Sequence, residues 1–224
     1  MSAMSNLLDA IEIETAPNPN TSVIWMHGLG ADGNDFVPIV DELNLPDVPI
    51  RFVFPHAPMQ EVTVNNGYVM RAWYDVLSSD FAKRTDEASV RESQALIEAL
   101  IAREKQRGSP ASRIVLAGFS QGGAMALQTG LWHAERLAGL MVLSSYVPIP
   151  DALATEASAA NRDVPIFMAH GNSDQVIPIS AAAQSRDLLQ SMNYPIEWHE
   201  YAMPHSVCME ELDDISTWLH KVLA

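Results

Sequence analysis

Apolar runs alternate with helical patterns along most of the chain. Runs rich in β-branched and aromatic residues occur at 23–27, 50–54, 114–118, 138–144, 164–170 and 196–201. Between them, apolar residues recur at helical spacing near 33–43, 86–107, 121–133, 178–192 and 206–222. Strands that alternate with helices in this way form parallel sheets, because each crossover helix covers one face. The pattern predicts an α/β fold with a mostly parallel central sheet flanked by helices on both faces.

Two segments depart from this alternation. Ile11 and Ile13 alternate with polar residues, which predicts an additional edge strand. Residues 57–84 are long for a connection, have no clear period and contain several aromatic residues, among them Trp73. Long loops in compact domains are often lids or binding walls. Simple packing over the sheet explains the same aromatic residues equally well.

Composition narrows the possible partners. The 224 residues are expected to form a single domain over 1–224. A net charge of −15 disfavours nucleic acid and anionic membranes as partners. No apolar run is long enough to cross a membrane, and the first twenty residues lack Lys and Arg, so we expect a cytoplasmic protein without stable membrane insertion. Cys208 is the only cysteine, so an intrachain disulfide and a cysteine-ligated metal are excluded.

The most informative segment is Ser112 to Met125, SRIVLAGFSQGGAM, in which an apolar run breaks into Gly-Phe-Ser-Gln-Gly before a helical pattern. A serine between a buried strand and a helix, with glycine two positions before and after it, is typical of a nucleophile elbow. Ser120 would lie at the tip of this turn, where the helix N-terminus favours developing negative charge. The pattern by itself is only moderately specific, so partners elsewhere must support it.

A serine nucleophile needs an imidazole base and a carboxylate that orients the base, in the chain order Ser, Asp, His for this architecture. Asp174 follows the strand predicted at 164–170 and precedes a helix, which is the position that the acid requires. Asp151, after the strand at 138–144, is the main rival. Asp163 precedes a strand and therefore falls at the wrong end of the sheet.

Among the histidines after Asp174, His205 alone is predicted in a strand-to-helix loop. His199 falls inside a strand pattern and His220 in the last turn of a helix, whereas His56 and His133 break the chain order. His205 is therefore the candidate base.

The oxyanion of a tetrahedral intermediate requires two N–H donors. Gln121, directly after the serine, and Leu29, in the His27-Gly28-Leu29-Gly30 loop, are the candidates. The same loop, Gly28 to Gly33, also matches the GxGxxG dinucleotide fingerprint, which leaves an oxidoreductase open. A dinucleotide site requires an acidic residue about twenty positions later to bind the ribose. This chain has Phe54, Pro55 and His56 there instead. A catalytically silent hydrolase fold that acts as a binding module is a third class.

Six segments carry a resemblance to a known family. They are VIWMHGLGADGNDF (23–36), RFVFPHAP (51–58), WYD (73–75), RIVLAGFSQGGAMAL (113–127), HGNSDQVIP (170–178) and MPHSV (203–207). With these segments the chain resembles the bacterial carboxylesterases related to acyl-protein thioesterases and lysophospholipases, within the α/β-hydrolase fold. Two positions depart from the family pattern. Pro204 occupies the position before the histidine where family members commonly have glycine, and Arg71 lies near the position before the tryptophan where they often have proline.

The resemblance implies a serine hydrolase that cleaves short- to medium-chain carboxylic esters, with thioesterase or lysophospholipase activity as the alternatives. It implies a triad of Ser120, Asp174 and His205, oxyanion donors at Leu29 and Gln121, and no metal or organic cofactor. It also implies substrate contacts from the loop that holds Trp73 and from Val176 and Ile177. The partner is then a small ester or acyl thioester, and a homodimer through the apolar segment 57–84 is possible.

Overall fold

The buried apolar runs become the strands of one twisted sheet in the computed structural model, which describes residues 7–45, 48–80 and 83–223. The strands are Ala10–Glu14 (β1), Thr21–Met26 (β2), Ile50–Pro55 (β3), Met59–Val62 (β4), Tyr68–Arg71 (β5), Ile114–Phe119 (β6), Gly139–Leu143 (β7), Ile166–Gly171 (β8) and Ile196–Tyr201 (β9). The helices are Ile39–Glu42 (α1), Glu87–Gln106 (α2), Gln121–Trp132 (α3), Pro150–Glu156 (α4), Ile179–Ser191 (α5) and Met209–Leu223 (α6), with 3-10 turns at Thr63–Asn65, Ala111–Arg113 and Ala159–Asn161.

Within the described ranges, the main sheet has seven strands in the order β1-β3-β2-β6-β7-β8-β9. β1 pairs with β3 in antiparallel fashion, and the other six strands run parallel. The predicted parallel sheet and its edge strand are therefore confirmed. Because the parallel strands all end at one edge, the loops that follow β2, β6, β7, β8 and β9 meet there.

Side chains of the central strands alternate between two cores. On β2, Ile24 and Met26 pack into the core that contains residues of α2 and α3. Val23 and Trp25 face the opposite core, which contains residues of α6. Burial on both faces explains why these strands are almost continuously apolar in sequence.

Three parts of the chain differ from the sequence prediction. The helix predicted near 33–43 is confined to Ile39–Glu42. Before it, the Asp32 carboxylate accepts a hydrogen bond from Asn34 N at 2.8 Å, and local bonding of this kind competes with helix formation. Residues 57–84 contain the β4–β5 hairpin, although no alternation was recognised there. The short helix α4, which begins with Pro150 at its first position, was not predicted.

One acidic side chain of the C-terminal helix lies in the interior. Glu211, in the first turn of α6, is completely buried. Burial raises the pKa of its carboxyl to about 8, with a further increase from Asp214 and an opposing effect of the Cys208 backbone amide. Cys208, just before α6, packs against the core that includes residues of this helix.

We expect the buried carboxyl of Glu211 to make stability depend on pH. An unfolded glutamate ionises near pH 4.3, so from about pH 4.5 to 8 the unfolded chain has released a proton that the folded chain keeps. The free energy of unfolding therefore falls as the pH rises through this interval. In Glu211→Gln this dependence is lost, and between pH 5 and 8 the variant should gain about 3.5 kcal/mol on the parent, or roughly 7–14 °C in Tm.

Thermal unfolding of both proteins at pH 5, 6, 7 and 8 measures this difference. The exposed neighbour Glu210→Gln is the matched control and should follow the parent at every pH. Parallel curves for Glu211→Gln and the parent would contradict the assignment.

Candidate active site

Ser120 occupies the turn between β6 and α3 in a strained conformation. Its φ and ψ are 55° and −120°, a region that residues with a side chain rarely adopt. Such a conformation costs on the order of 1–3 kcal/mol and persists only where surrounding contacts impose it.

The glycines around Ser120 allow α3 to approach the sheet closely. A Cβ on Gly118 would lie 2.2 Å from the carbonyl carbon of Gly122, and one on Gly122 would lie 2.1 Å from Met26 O. Real Cβ atoms do not tolerate such contacts with backbone. Gly118 and Gly122 are therefore required by the turn, as the elbow pattern predicts.

Two hydrogen bonds fix the backbone of Ser120 from the neighbouring strand. Ser120 N donates to Leu143 O at 2.8 Å, and Ser145 Oγ donates to Ser120 O at 2.6 Å. Both Leu143 and Ser145 belong to the end of β7 and its following loop. Ser145 could not be identified from the sequence, because the pattern around a loop serine does not indicate which group its hydroxyl will bind.

A continuous chain of hydrogen bonds joins the three predicted catalytic side chains. His205 Nε2 lies 3.0 Å from Ser120 Oγ, and His205 Nδ1 lies 2.6 Å from Asp174 Oδ2. The Asp174 carboxylate is completely buried, and the His205 side chain is 16% exposed. The arrangement places an imidazole between a serine hydroxyl and a buried carboxylate.

Asp174 is held by contacts on both of its oxygens. Its Oδ1 accepts from Val176 N at 2.8 Å and from Ile177 N at 2.9 Å. On the other side, His170 Nε2 lies 2.8 Å from Ile177 O and 3.4 Å from Asp174 Oδ2. Burial lowers the pKa of the His170 imidazole, so this ring stays neutral and carries one N–H at neutral pH. His170 is a contact of the site that sequence analysis missed.

The imidazole of His205 is also supported from its face. Its ring centroid lies 4.6 Å from that of Phe119, the residue before Ser120. The His205 loop meets β8 at Gly171, where a Cβ would lie 2.4 Å from Pro204 O. The elbow and the end of β8 therefore both position the histidine.

The rival acids and bases lie elsewhere. Asp151 is exposed in the first turn of α4, and Asp163 pairs with Arg136 ahead of β8. The four other candidate histidines are likewise engaged or exposed: His56 accepts from Gly33 N, His133 pairs with Glu98, His199 pairs with Glu197 and Asp214, and His220 is exposed near the end of α6.

The two candidate oxyanion donors border the serine. Gln121 begins α3, so its N–H belongs to the helix N-terminus, which lacks intrahelical acceptors. Leu29 lines the pocket at Ser120, and its loop is fixed by a 2.8 Å hydrogen bond from Gly30 N to Arg71 O. Arg71 supports the loop through its backbone, while its guanidinium donates to Ala57 O at 2.8 Å.

Trp73 and Tyr74 are attached to the site through Gln121. The Gln121 side chain accepts from Trp73 N and donates to Tyr74 O, both at 2.7 Å. The Trp73 indole is completely buried, and its Nε1 donates to His27 O at 2.9 Å. Trp73 therefore braces the Leu29 loop from behind, and Tyr74 is the residue of this segment that lines the pocket.

The pocket at Ser120 is small. Its volume is about 20 Å³, and it is lined by Leu29, Tyr74, Val76, Arg84, Ser120, Gln121, Tyr146 and Ile177. Ile177, for which the resemblance implies a substrate contact, is one of these lining residues. Val176 is 53% exposed and contacts Asp174 through its N–H rather than forming this wall.

The loop from Gly28 to Gly33 does not have the form of a dinucleotide site. In such a site a helix begins at the fingerprint, whereas here the next helix begins at Ile39. A Cβ on Gly33 would lie 2.4 Å from Phe54 O, so packing against β3 explains this glycine. Within the described part of the chain, no cluster of three or more His, Cys, Asp or Glu side chains is placed to hold a metal ion. No described helix is long and apolar enough to span a membrane.

Comparison with known proteins gives the same family in sequence and in structure. Residues 8–223 match the phospholipase/carboxylesterase family model. Acyl-protein thioesterase 1 of Yarrowia lipolytica is 36% identical over 218 residues, which cover 95% of this chain and 96% of that protein. The crystal structure of Arabidopsis thaliana SOBER1 superimposes with a TM-score of 0.87 at 31% identity, covering 91% of this chain and 99% of that one.

A second fungal relative, acyl-protein thioesterase 1 of Neurospora crassa, is 39% identical over 208 residues, covering 88% of this chain and 85% of that protein. These curated relatives are fungal, so they give no support to the bacterial source that the resemblance implied. The family match and the shared architecture show that this chain belongs to the phospholipase/carboxylesterase family of α/β-hydrolases.

Proposed function

We propose that this protein is a serine hydrolase that cleaves carboxylic esters of small molecules through an acyl-enzyme on Ser120. The observation that carries the proposal is the hydrogen-bonded chain from Asp174 through His205 to Ser120, with the serine on a strained turn at a helix N-terminus. A free serine hydroxyl is a weak nucleophile, and an oriented imidazole within hydrogen-bond reach removes that limitation.

In the first half-reaction, Ser120 Oγ attacks the ester carbonyl carbon while its proton passes to His205 Nε2. The buried Asp174 carboxylate holds the Nδ1–H of the imidazole and stabilises the imidazolium that forms. The carbonyl oxygen becomes an oxyanion, which the N–H groups of Gln121 and Leu29 stabilise. When the bond to the alcohol oxygen breaks, His205 gives its proton to the leaving group, and the acyl group stays on Ser120.

The second half-reaction repeats these steps with water as the nucleophile. His205 Nε2 takes a proton from water, whose oxygen attacks the acyl-serine carbonyl. Collapse of the second tetrahedral intermediate breaks the bond to Ser120 Oγ and returns the proton to it. The acid leaves, and the enzyme is restored without a cofactor.

Thioester cleavage is the second candidate. The fungal relatives are named acyl-protein thioesterases, and the same residues would act on a thioester with a thiol as the leaving group. Lysophospholipase activity differs only in the alcohol that leaves. Rates of matched esters and thioesters of one acyl group, together with a lysophospholipid, separate the three substrates.

Two other expectations rest on sequence. A homodimer would use the apolar hairpin surface, where Met59, Tyr68 and Val69 are exposed. The cytoplasmic location and the dimer both stay predictions.

Replacing the nucleophile provides the direct test. Ser120→Ala should lower kcat/KM for a p-nitrophenyl acetate assay by about 10⁴-fold, because the acyl-enzyme no longer forms. Mass spectrometry should find one fluorophosphonate adduct on the parent, at Ser120, and none on the variant. Near-parental turnover by Ser120→Ala would rule out the mechanism, and a parent without activity towards esters or thioesters would favour a binding module.

The orienting acid is tested separately. Asp174→Asn keeps the size of the side chain but removes the charge that stabilises imidazolium, so we expect kcat to fall by roughly 10³–10⁴-fold with a small change in KM. Asp163→Asn, at the opposite edge of the sheet, is the control and should retain parental kinetics. Equal kinetics for Asp174→Asn and Asp163→Asn would exclude Asp174 from the triad.

A further inference from the structure

Two cavities of very different size meet at one side chain. The pocket at Ser120 has a volume of about 20 Å³, and a neighbouring cleft has about 710 Å³. Tyr146 lines both. On the far side of Tyr146 the cleft is bordered by residues 147–152, by α4, and by Ala181, Gln184 and Leu188 of α5. The larger space has the size of an ordinary ligand site, whereas the smaller one is far too small for a long carbon chain.

Tyr146 is held in place by a second tyrosine. The hydroxyl oxygens of Tyr74 and Tyr146 lie 2.9 Å apart in a buried hydrogen bond. The two residues are 1% and 6% exposed, respectively. Burial raises the pKa of the Tyr74 hydroxyl well above its ordinary value, so Tyr74 keeps its proton across the physiological range and stays hydrogen-bonded to Tyr146. The pair therefore forms a fixed wall between the small pocket and the cleft.

The small pocket lies on the acyl side of Ser120. The leaving group must face His205, because His205 gives it a proton. The pocket is lined by Leu29, by Ser120 and Gln121 at the start of α3, and by Tyr74, Val76, Arg84, Tyr146 and Ile177. The His205 loop contributes none of the described lining residues. The carbon chain attached to the reacting carbonyl therefore extends towards the tyrosine pair.

We propose that the Tyr74–Tyr146 pair determines acyl-chain length, restricting the enzyme to short acyl groups of about two to four carbons by closing the pocket off from the cleft. This inference rests on the proposed function and names its substrate class. The ring of Tyr146 blocks the chain, and the hydrogen bond to Tyr74 keeps the ring in the blocking position.

The test measures kcat/KM for p-nitrophenyl acetate, butyrate, octanoate and palmitate. The parent should prefer acetate and butyrate over octanoate by at least about 10-fold. Tyr146→Ala joins the pocket to the cleft, so its octanoate-to-acetate ratio should rise at least about 10-fold over that of the parent. Tyr146→Phe and Tyr74→Phe each remove the same hydrogen bond and one oxygen atom, so they should raise the ratio by similar, smaller factors and remain folded.

Tyr194→Ala is the matched control, since Tyr194 is a buried tyrosine that borders a separate cavity of about 270 Å³. It should leave the octanoate-to-acetate ratio unchanged. A parent that hydrolyses octanoate as well as acetate would overturn the inference. The inference would also be overturned if the octanoate-to-acetate ratio stayed at the parental value in all three variants, Tyr146→Ala, Tyr146→Phe and Tyr74→Phe. Acetate hydrolysis that depends on Ser120 tests the proposed function independently of either result.

Discussion

The close contact between α3 and the ends of β2 and β6 is the constraint on which the site depends. Gly118 and Gly122 remove the Cβ atoms that would otherwise meet backbone at about 2 Å. With the helix drawn in, the chain turns so tightly that Ser120 adopts a positive φ. The hydrogen bonds from the end of β7 offset that strain, so the hydroxyl is fixed before any substrate arrives.

The partners of Ser120 reach it because of sheet topology. Asp174 follows β8 and His205 follows β9, and parallel strands place both loops at the edge that carries the elbow. Each loop is then adjusted by local contacts. The N–H groups of Val176 and Ile177 hold the Asp174 carboxylate, His170 bonds to Ile177 O, and Phe119 lies against the His205 ring. The geometry of the candidate site thus depends on the ends of five strands together.

Gln121 links the Ser120 turn to the segment that borders the small pocket. Its backbone lies at the helix N-terminus, while its buried side chain binds both Trp73 N and Tyr74 O. The segment that contains Tyr74 is therefore tied to the residue that follows Ser120. Under the proposed function, acyl-group selection and stabilisation of the oxyanion would therefore share one support, the Gln121 side chain and backbone.

The sequence alone determined the parallel sheet, the elbow and the order of its partners, because strand burial, glycine spacing and chain order are local or periodic signals. The helix predicted near 33–43 is mostly absent, because a side chain-to-backbone turn around Asp32 replaces its first part. The hairpin within 57–84 was not predicted, because its strands are short and several of their apolar residues are exposed, which gives a weak alternation of apolar and polar positions. Only the tertiary structure decided that Ser145 and His170 support the site, that Trp73 lies behind the pocket, and that Tyr74 meets Tyr146. These contacts join residues from different loops. Pairs of this kind are far apart in the sequence and produce no periodic pattern, so the sequence does not predict them.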